Sequence, residues 1–427
     1  GGKRVGSGGA TLNALRYIVN SGAADTREDN IAANSGAAAT REDNIAADDL
    51  SKLKILIIHS GGDAKRSPQY SACGKVFSPI PHVLADGHRS TLFDEMMIAM
   101  CGIPARISAG MMVCSGDVLL LFNSLQLDFY EDGAAALSIK ESVEVGQAHG
   151  VFLGSGNGYV RQFLHKQTTD RLRSVGATDA HDLINIDTGA VIFSGKMVKD
   201  LYSLADTDEK FEAMVNDHVR LSFYADFLYP LAEDSTLDRF YLEQPEGDFS
   251  PELDVARTKI WDVLGKYKMK LMKFSPASFL HFGTTREVLR LVTDEIGNYS
   301  VLGWQGRIGT NYGGSDFAVS NSYVSARATI GDGSYIEDSY IHHNAQIGKC
   351  CVISGLTVGK SANRETSESR LNVAAGSQTS QAESNADKMI TIPDNTVLHG
   401  LKLTDGRFVV RMYGVCDNPK EAKWFGK

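Results

Sequence analysis

No stretch of the 427-residue chain stays apolar for anything near the roughly 20 residues that a membrane-spanning helix needs. The sequence therefore predicts no membrane segment, and no signal peptide is visible. Cysteine is scarce: six residues, no CxxC pair, and only Cys350 and Cys351 close together. That usage excludes a disulfide framework and points to a reducing, cytoplasmic setting. An excess of positive charge is also missing, since 43 Lys and Arg face 52 Asp and Glu, a net charge of −9. Nucleic acid is then not the expected partner, and an anion site has to be built from local basic loops. There is no initiating Met; the chain opens at Gly1 inside a Gly-rich motif, as a fragment lacking its natural start would. With 43% apolar and 22% charged residues, the composition is that of a folded protein. The length exceeds what one hydrophobic core usually supports, so two domains are expected.

The stretch most informative about chemistry is KILIIHSGGDAKRSPQYSACGKVFSPIP, residues 54–81. Lys54 to His59 is apolar enough for a buried parallel strand. It runs into Ser60-Gly61-Gly62, where missing Cβ atoms allow a tight turn and close backbone approach to a ligand. Lys65 and Arg66 follow, and Lys75 stands behind Gly74. A strand, a Gly-rich loop and three cations make a cradle for a polyphosphate, although the spacing fits neither the Walker pattern nor GxGxxG. A plain tight turn is the competing reading.

Three segments organise the chain. Residues 1–52 hold a Gly-rich motif and a polar duplication, in which NSGAADTREDNIAA at Asn20–Ala33 returns as NSGAAATREDNIAA at Asn34–Ala47. Its composition suits a surface linker. Over residues 53–297, short apolar strands such as RISAGMMVCS, ALSIK, INIDTGAVIFS and SFLHFG alternate with helix-like stretches, the grammar of an α/β sheet with crossover helices. Over residues 298–427 the grammar changes. Val324, Ile330, Ile336, Ile341, Ile347, Ile353 and Val358 step by six, six, five, six, six and five, a repeat of 17. Three short sides per turn, each burying one branched aliphatic, describe a parallel β-helix of the hexapeptide type. A polar low-complexity insertion at about 360–388 interrupts it.

Several further residues have chemistry in them. Asp117 in SGDV, beside a Gly at a strand end, is placed to present a carboxylate at the carboxyl edge of a parallel sheet, or to cap a turn. Asp187 of IDTG, with Gly189, can accept hydrogen bonds from sugar hydroxyls, or serve as a turn residue. Gly6, Gly8 and Gly9, ahead of a helix-like run, read either as an anion-binding turn at a helix N-terminus or as a linker.

Taken together, GGDAKRSP…GKVFSPIP, GSGGATLNAL at Gly6–Leu15, SGDV at Ser115–Val118, HGV at His149–Val151, IDTG at Ile186–Gly189 and FLHFGT at Phe279–Thr284 resemble, in order, the signature of fucose-1-phosphate guanylyltransferases, also called GDP-fucose pyrophosphorylases. In fused bacterial and plant members this domain precedes a sugar kinase. The resemblance implies a Rossmann-like, glycosyltransferase-A-like mixed sheet followed by a left-handed parallel β-helix. It implies synthesis of GDP-L-fucose and pyrophosphate from GTP and β-L-fucose 1-phosphate, with Mg²⁺ as cofactor and a C-terminal kinase domain as partner in a longer chain. Carried over residue by residue, it assigns Gly61, Gly62, Asp63, Lys65, Gly6, Gly8 and Gly9 to the nucleotide. Arg66 goes to the pyrophosphate end, Lys75 to the α/β-phosphates and Asp117 to Mg²⁺. Lys166, Asp187, Gly189, His149 and His281 fall on the sugar-phosphate side.

Two departures stand out. Gln167 replaces the usual Pro after the sugar-side lysine, so the local backbone is expected to differ. His281 stands where many sugar nucleotidyltransferases carry a metal-binding Asp, as it does in fucose-type enzymes. Imidazole is a poor Mg²⁺ ligand, which leaves one carboxylate or a substitute acid such as Asp226. Two readings from other classes stay open: an inactive nucleotide-sugar-binding scaffold, and a β-helix acyltransferase, for which His342 and His343 fall at a coil corner, where exposed, solvated histidines are the ordinary explanation.

Overall fold

A computed structural model of the chain describes residues 4–21, 47–60, 64, 66–359 and 389–417. The duplicated stretch, apart from its outermost residues, and the low-complexity insertion lie outside them, as do Gly61, Gly62, Asp63 and Lys65. The protein is mixed α/β, with parallel and antiparallel sheets in two compact units, Gly1–Gly61 with Met96–Leu280 and Gly62–Glu95 with His281–Lys427. Among the described residues no helix is long and apolar enough to cross a membrane.

The first unit is built on a mixed sheet ordered β1 (Lys54–His59), Gly110–Ser115, Leu183–Ser194, Ala134–Ser142, Met269–Phe274. β1 runs parallel to Gly110–Ser115, and Met269–Phe274 parallel to Ala134–Ser142, while the long Leu183–Ser194 strand is antiparallel to both of its neighbours. The strands Gly150–Gly154 and Val160–His165 form an antiparallel pair that joins through Val151 and Ile186. The unbroken apolar run of β1 predicts burial on both faces. The strand instead ends the sheet, and Leu56 is 39% exposed.

Helix α1 (Gly6–Asn20) buries Gly8, Thr11, Leu12, Leu15 and Val19, one face at helical spacing, and lies chiefly against the Phe223–Phe227 turn and the helix Gly195–Tyr202. Leu12 and Leu15 are fully buried, which contributes roughly 2–3 kcal/mol each. Its glycines serve close approach. A Cβ on Gly6, at φ +75°, would stand 2.2 Å from the Leu221 carbonyl oxygen. The Gly8 amide donates to that oxygen at 2.8 Å. These contacts give the Gly-rich motif a packing function at the helix start.

In the second unit, the strand ladder Arg307–Thr310, Ala318–Val324, Tyr335–Glu337, Val352–Ser354 and Thr396–Lys402 is parallel throughout, and Phe408–Gly414 closes it antiparallel. Two shorter parallel ladders accompany it, one through Tyr323, Tyr340 and Thr357 and one through Ala345 and Ile390. Successive rungs pair 17 residues apart, Ile336 with Ile353 and Tyr323 with Tyr340, the step of the sequence repeat. Val324, Ile336, Ile341, Ile347, Ile353 and Val358 form the buried interior, with Ile330 packed against it. Ile347 then pairs directly with Ile392, so the insertion leaves the ladder in register. The hairpin Pro79–Val83 and Arg89–Thr91 belongs to this unit. Arg89 bonds the Ser320 hydroxyl at 3.0 Å and Asp338 at 2.9 Å.

Candidate active site

The carboxyl edge of the first unit's sheet gathers four of the sequence motifs. His59 at the end of β1 lies in parallel register with Ser115. The Gly116 amide donates to the His59 carbonyl at 2.9 Å. A Cβ on Gly116 would lie 2.7 Å from that oxygen and 3.0 Å from the Ser60 Cα, so only glycine fits where SGDV turns away from the sheet. Asp117 follows at once, its Oδ1 accepting from the Ser115 hydroxyl at 2.8 Å. The parallel strand pair thus carries a carboxylate to the point where the Gly-rich loop begins.

IDTG lies on the neighbouring strand. Asp187 Oδ1 accepts from the Gly189 amide at 2.9 Å, and Thr188 donates to the Leu137 carbonyl at 2.6 Å. Gly189 has φ +70°, and a Cβ there would stand 2.9 Å from that of Ser115. The two carboxylate motifs are therefore packed together. Burial pushes the Asp187 carboxyl up to about 6.

Tyr224 joins them. Its hydroxyl donates to the Gly189 carbonyl at 3.2 Å. Its own ionisation is pushed well up, first by burial and then by the charges of Asp187 and, further down, Asp117. The half-buried phenol stays protonated as a hydrogen-bond donor to the IDTG motif. Among the described residues no trio of His, Cys, Asp or Glu is grouped for a metal ion. Two carboxylates are nevertheless the usual protein complement of Mg²⁺, which keeps water and substrate oxygens for the rest.

Beside IDTG, a Cβ on Gly150 of HGV would lie 2.9 Å from the Asp187 Cβ. His149 packs edge-on to Phe279 at 5.3 Å, and its carbonyl accepts from the Lys166 amide at 3.1 Å. Lys166 is exposed and left-handed, at φ +48°. A proline at 167 would push residue 166 toward extended backbone, so Gln167 and this conformation go together.

The other predicted cations belong to the second unit. Arg66 is exposed, while Ser67, Gln69 and Tyr70 just after it are buried. The Thr285 amide donates to the Arg66 carbonyl at 3.0 Å. Lys75 Nζ donates to the Gly283 carbonyl at 2.8 Å, and Ser67 reaches the same oxygen at 3.2 Å. The polyphosphate motif and the FLHFGT motif, more than 200 residues apart, are in this way tied together.

His281 is held by Glu287, Nδ1 to Oε1 at 3.0 Å, and Glu287 also accepts from the Thr284 hydroxyl at 2.8 Å. Thr284 in turn accepts from the Glu287 amide at 3.2 Å, a capping box for the helix Thr285–Thr293. Burial raises the Glu287 carboxyl, but the bonds from His281 and Thr284 outweigh it and hold the group at about 2.

Asp226, the substitute acid considered for the metal, is spoken for elsewhere. It is fully buried and pairs with the equally buried Arg257, Nε to Oδ1 at 3.0 Å, while Oδ2 accepts from the Ser222 amide at 2.7 Å. Arg257 is further tied to the carbonyls of Phe240 and Glu243, both at 2.9 Å. The pair is a buried structural tie. The side chain of FYADF that reaches IDTG is Tyr224, two residues earlier, and a one-dimensional reading gives no sign of which of the two does so.

His59 was also not singled out by spacing. It closes β1 with its ring edge-on to Phe223 at 5.4 Å and to Tyr224 at 5.9 Å. Burial pushes it down to about 4, so it is neutral at physiological pH. Its position as the one polar residue ending an apolar strand was the available signal.

A family model described as fucose pyrophosphorylase domain matches residues 47–426. Among curated proteins, the fucose-1-phosphate guanylyltransferase of Homo sapiens is 23% identical over 390 residues, 83% of this chain and 59% of that protein. The Mus musculus protein of the same name is 24% identical over 84% of this chain and 62% of its own length. The bifunctional fucokinase/GDP-fucose pyrophosphorylase of Arabidopsis thaliana is 28% identical over 67% of this chain and 27% of its own. The chain thus spans less than two thirds of each of these relatives. A match over nearly its whole length, covering the Asp117, Asp187, Lys75 and His281 motifs alike, means that the chain belongs to the fucose pyrophosphorylase domain family.

Proposed function

We propose that this chain is a nucleotidyltransferase that joins GTP and β-L-fucose 1-phosphate into GDP-L-fucose and pyrophosphate. The observation that carries the reading is the packing of SGDV against IDTG, Gly189 against Ser115, with the Tyr224 hydroxyl bonded to Gly189, in a chain of this family. The sugar-phosphate oxygen attacks the α-phosphorus in line and pyrophosphate leaves on the far side. Positioning and neutralisation of charge supply most of the acceleration. Asp117 would hold Mg²⁺, with Asp187 as the second acid, and the cation would supply neutralisation of phosphate charge: a carboxyl raised by burial is the kind that a nearby cation returns to its charged form. The side chains orient the substrates.

Arg66 and Lys75 act on the pyrophosphate end and the α/β-phosphates, with Gly61, Gly62, Asp63 and Lys65 on the nucleotide. Lys166 meets the sugar phosphate as an exposed point charge, and His149, Gly189 and His281 shape the sugar side. Gly6, Gly8 and Gly9 act on the nucleotide side through α1, which they seat so that Thr11 reaches His59 at the start of the Gly-rich loop.

The fold proposed for the first unit is the Rossmann-like, glycosyltransferase-A-like type, and for the second a left-handed parallel β-helix; three parallel ladders stepping by 17 support the latter. Six free cysteines favour a cytoplasmic setting. A fused sugar kinase is the proposed partner domain in a longer parent chain. The test is a panel of nucleoside triphosphates crossed with sugar 1-phosphates and scored for pyrophosphate release. Release is expected with GTP and fucose 1-phosphate in the presence of Mg²⁺; turnover only with other pairs would overturn the substrates and keep the reaction class.

A further inference from the structure

The segment after the Gly-rich loop carries Arg66 and Lys75, and the buried residues between them are held from the C-terminal coil. Gln69 Oε1 accepts from the Tyr413 hydroxyl at 2.8 Å and from the Thr285 hydroxyl at 3.0 Å. Tyr70 donates to Glu337 Oε2 at 3.2 Å. Arg411 Nη1 donates to the Pro68 carbonyl at 3.3 Å and to the Ser71 hydroxyl at 2.8 Å. Four consecutive residues, Pro68 to Ser71, therefore each take a side-chain bond from an element more than 200 residues away.

The partners come from three levels of the unit. Glu337 ends a middle rung, Arg411 and Tyr413 lie on the closing antiparallel strand, and Thr285 starts the helix after FLHFGT. Ser67, Gln69, Tyr70, Thr285, Glu337 and Tyr413 are all buried, so these bonds are shielded from water and fix geometry more tightly than surface bonds would. Arg89 on the adjoining hairpin is bonded to Asp338, next to Glu337, so a second element of the same segment rests on the same rung.

We infer that Glu337, Arg411 and Tyr413 are positioning residues for the nucleotide reaction: the coil is the platform that sets the loop bearing Arg66 and Lys75. The inference rests on the proposed activity for its kinetic consequence only. A cationic loop that acts by placing charge against phosphates depends on its supporting bonds, because a misplacement of about 1 Å at the reacting group costs up to roughly a hundredfold.

The test uses the full chain and its Tyr413→Phe and Arg411→Met variants, with Ile353→Ala as a comparator that weakens the coil interior without touching the loop. Amide exchange over residues 67–78 is expected to speed up about fivefold or more in Tyr413→Phe and Arg411→Met, while the rungs keep wild-type protection. KM for GTP is expected to rise about fivefold, with KM for fucose 1-phosphate unchanged. Glu337→Gln, which keeps an acceptor for Tyr70, should behave as wild type, and Glu337→Leu as the other two. Unchanged loop exchange in Tyr413→Phe and Arg411→Met, or an equal rise in Ile353→Ala, overturns the inference. A wild-type chain that makes no GDP-fucose overturns the activity instead, and the exchange data still decide the anchoring.

Discussion

Thr11 Oγ1 lies 2.9 Å from Nε2 of His59 and gives its own hydrogen to the Ser7 carbonyl at 3.0 Å, so the imidazole is the donor of the pair. The remaining ring nitrogen, Nδ1, is buried with no hydrogen-bond partner among the described residues. A second proton on this ring has nowhere favourable to go, which agrees with its depressed value of about 4 against an ordinary 6.5.

The sign of the resulting pH dependence follows. Between pH 6.5 and about 4 the unfolded chain binds a proton at His59 that the folded chain does not. The contribution is complete above pH 6.5, is lost as the pH falls toward 4, and reaches about 3 kcal/mol at most. Denaturant melts of wild type and His59→Gln across this range should converge as the pH falls. Parallel curves would place the titration elsewhere, for instance at His399, which burial also lowers to about 4.

Asp117→Asn and Asp187→Asn each remove one carboxylate from the adjoining SGDV and IDTG motifs. Both should lower GDP-fucose formation by at least about two orders of magnitude while leaving the fold intact. A Mg²⁺ titration should show a weaker midpoint for each. Wild-type midpoints would remove the metal from these two residues.

Asp226→Ala should behave in the opposite manner. It leaves the Arg257 guanidinium buried without its carboxylate, and breaking such a pair costs about 3–5 kcal/mol. A large drop in denaturant midpoint with near-normal KM values in the folded fraction is expected. A stable but inactive variant would mean that Asp226 takes part in the chemistry.

Gly116→Ala tests the turn that delivers Asp117. The added carbon meets backbone atoms of His59 and Ser60, which cannot swing aside as a flexible side chain would. A cost of about 1–3 kcal/mol and a loss of turnover out of proportion to it are expected. Retention of full kcat would show that Asp117 tolerates a shifted backbone.

Much of this was legible in one dimension because it depends on local regularity. The 17-residue step of Ile336, Ile353 and their neighbours is repeated in the ladder pairing, since each buried aliphatic pairs with its equivalent one repeat on. SGDV stands out as a carboxylate beside glycine at a strand end; IDTG lies inside the strand Leu183–Ser194, not at its end, and the sheet still brings Ser115 and Gly189 into contact. The apolar run of β1 predicts a buried strand, but such runs say nothing about whether a strand lies at the centre of a sheet or at its end.

The sequence by itself determined which acids and cations stand beside glycines and where the 17-residue repeat lies, because residue type and period are one-dimensional properties. Only the tertiary structure decided which acid is committed to an arginine and which faces a tyrosine, since Tyr224 and Asp226 differ merely in which way a short helical turn points them. It likewise decided that Gln69 and Tyr70 lean on Tyr413 and Glu337. Bonds between residues so far apart exist only once the chain has folded, and no local pattern carries them.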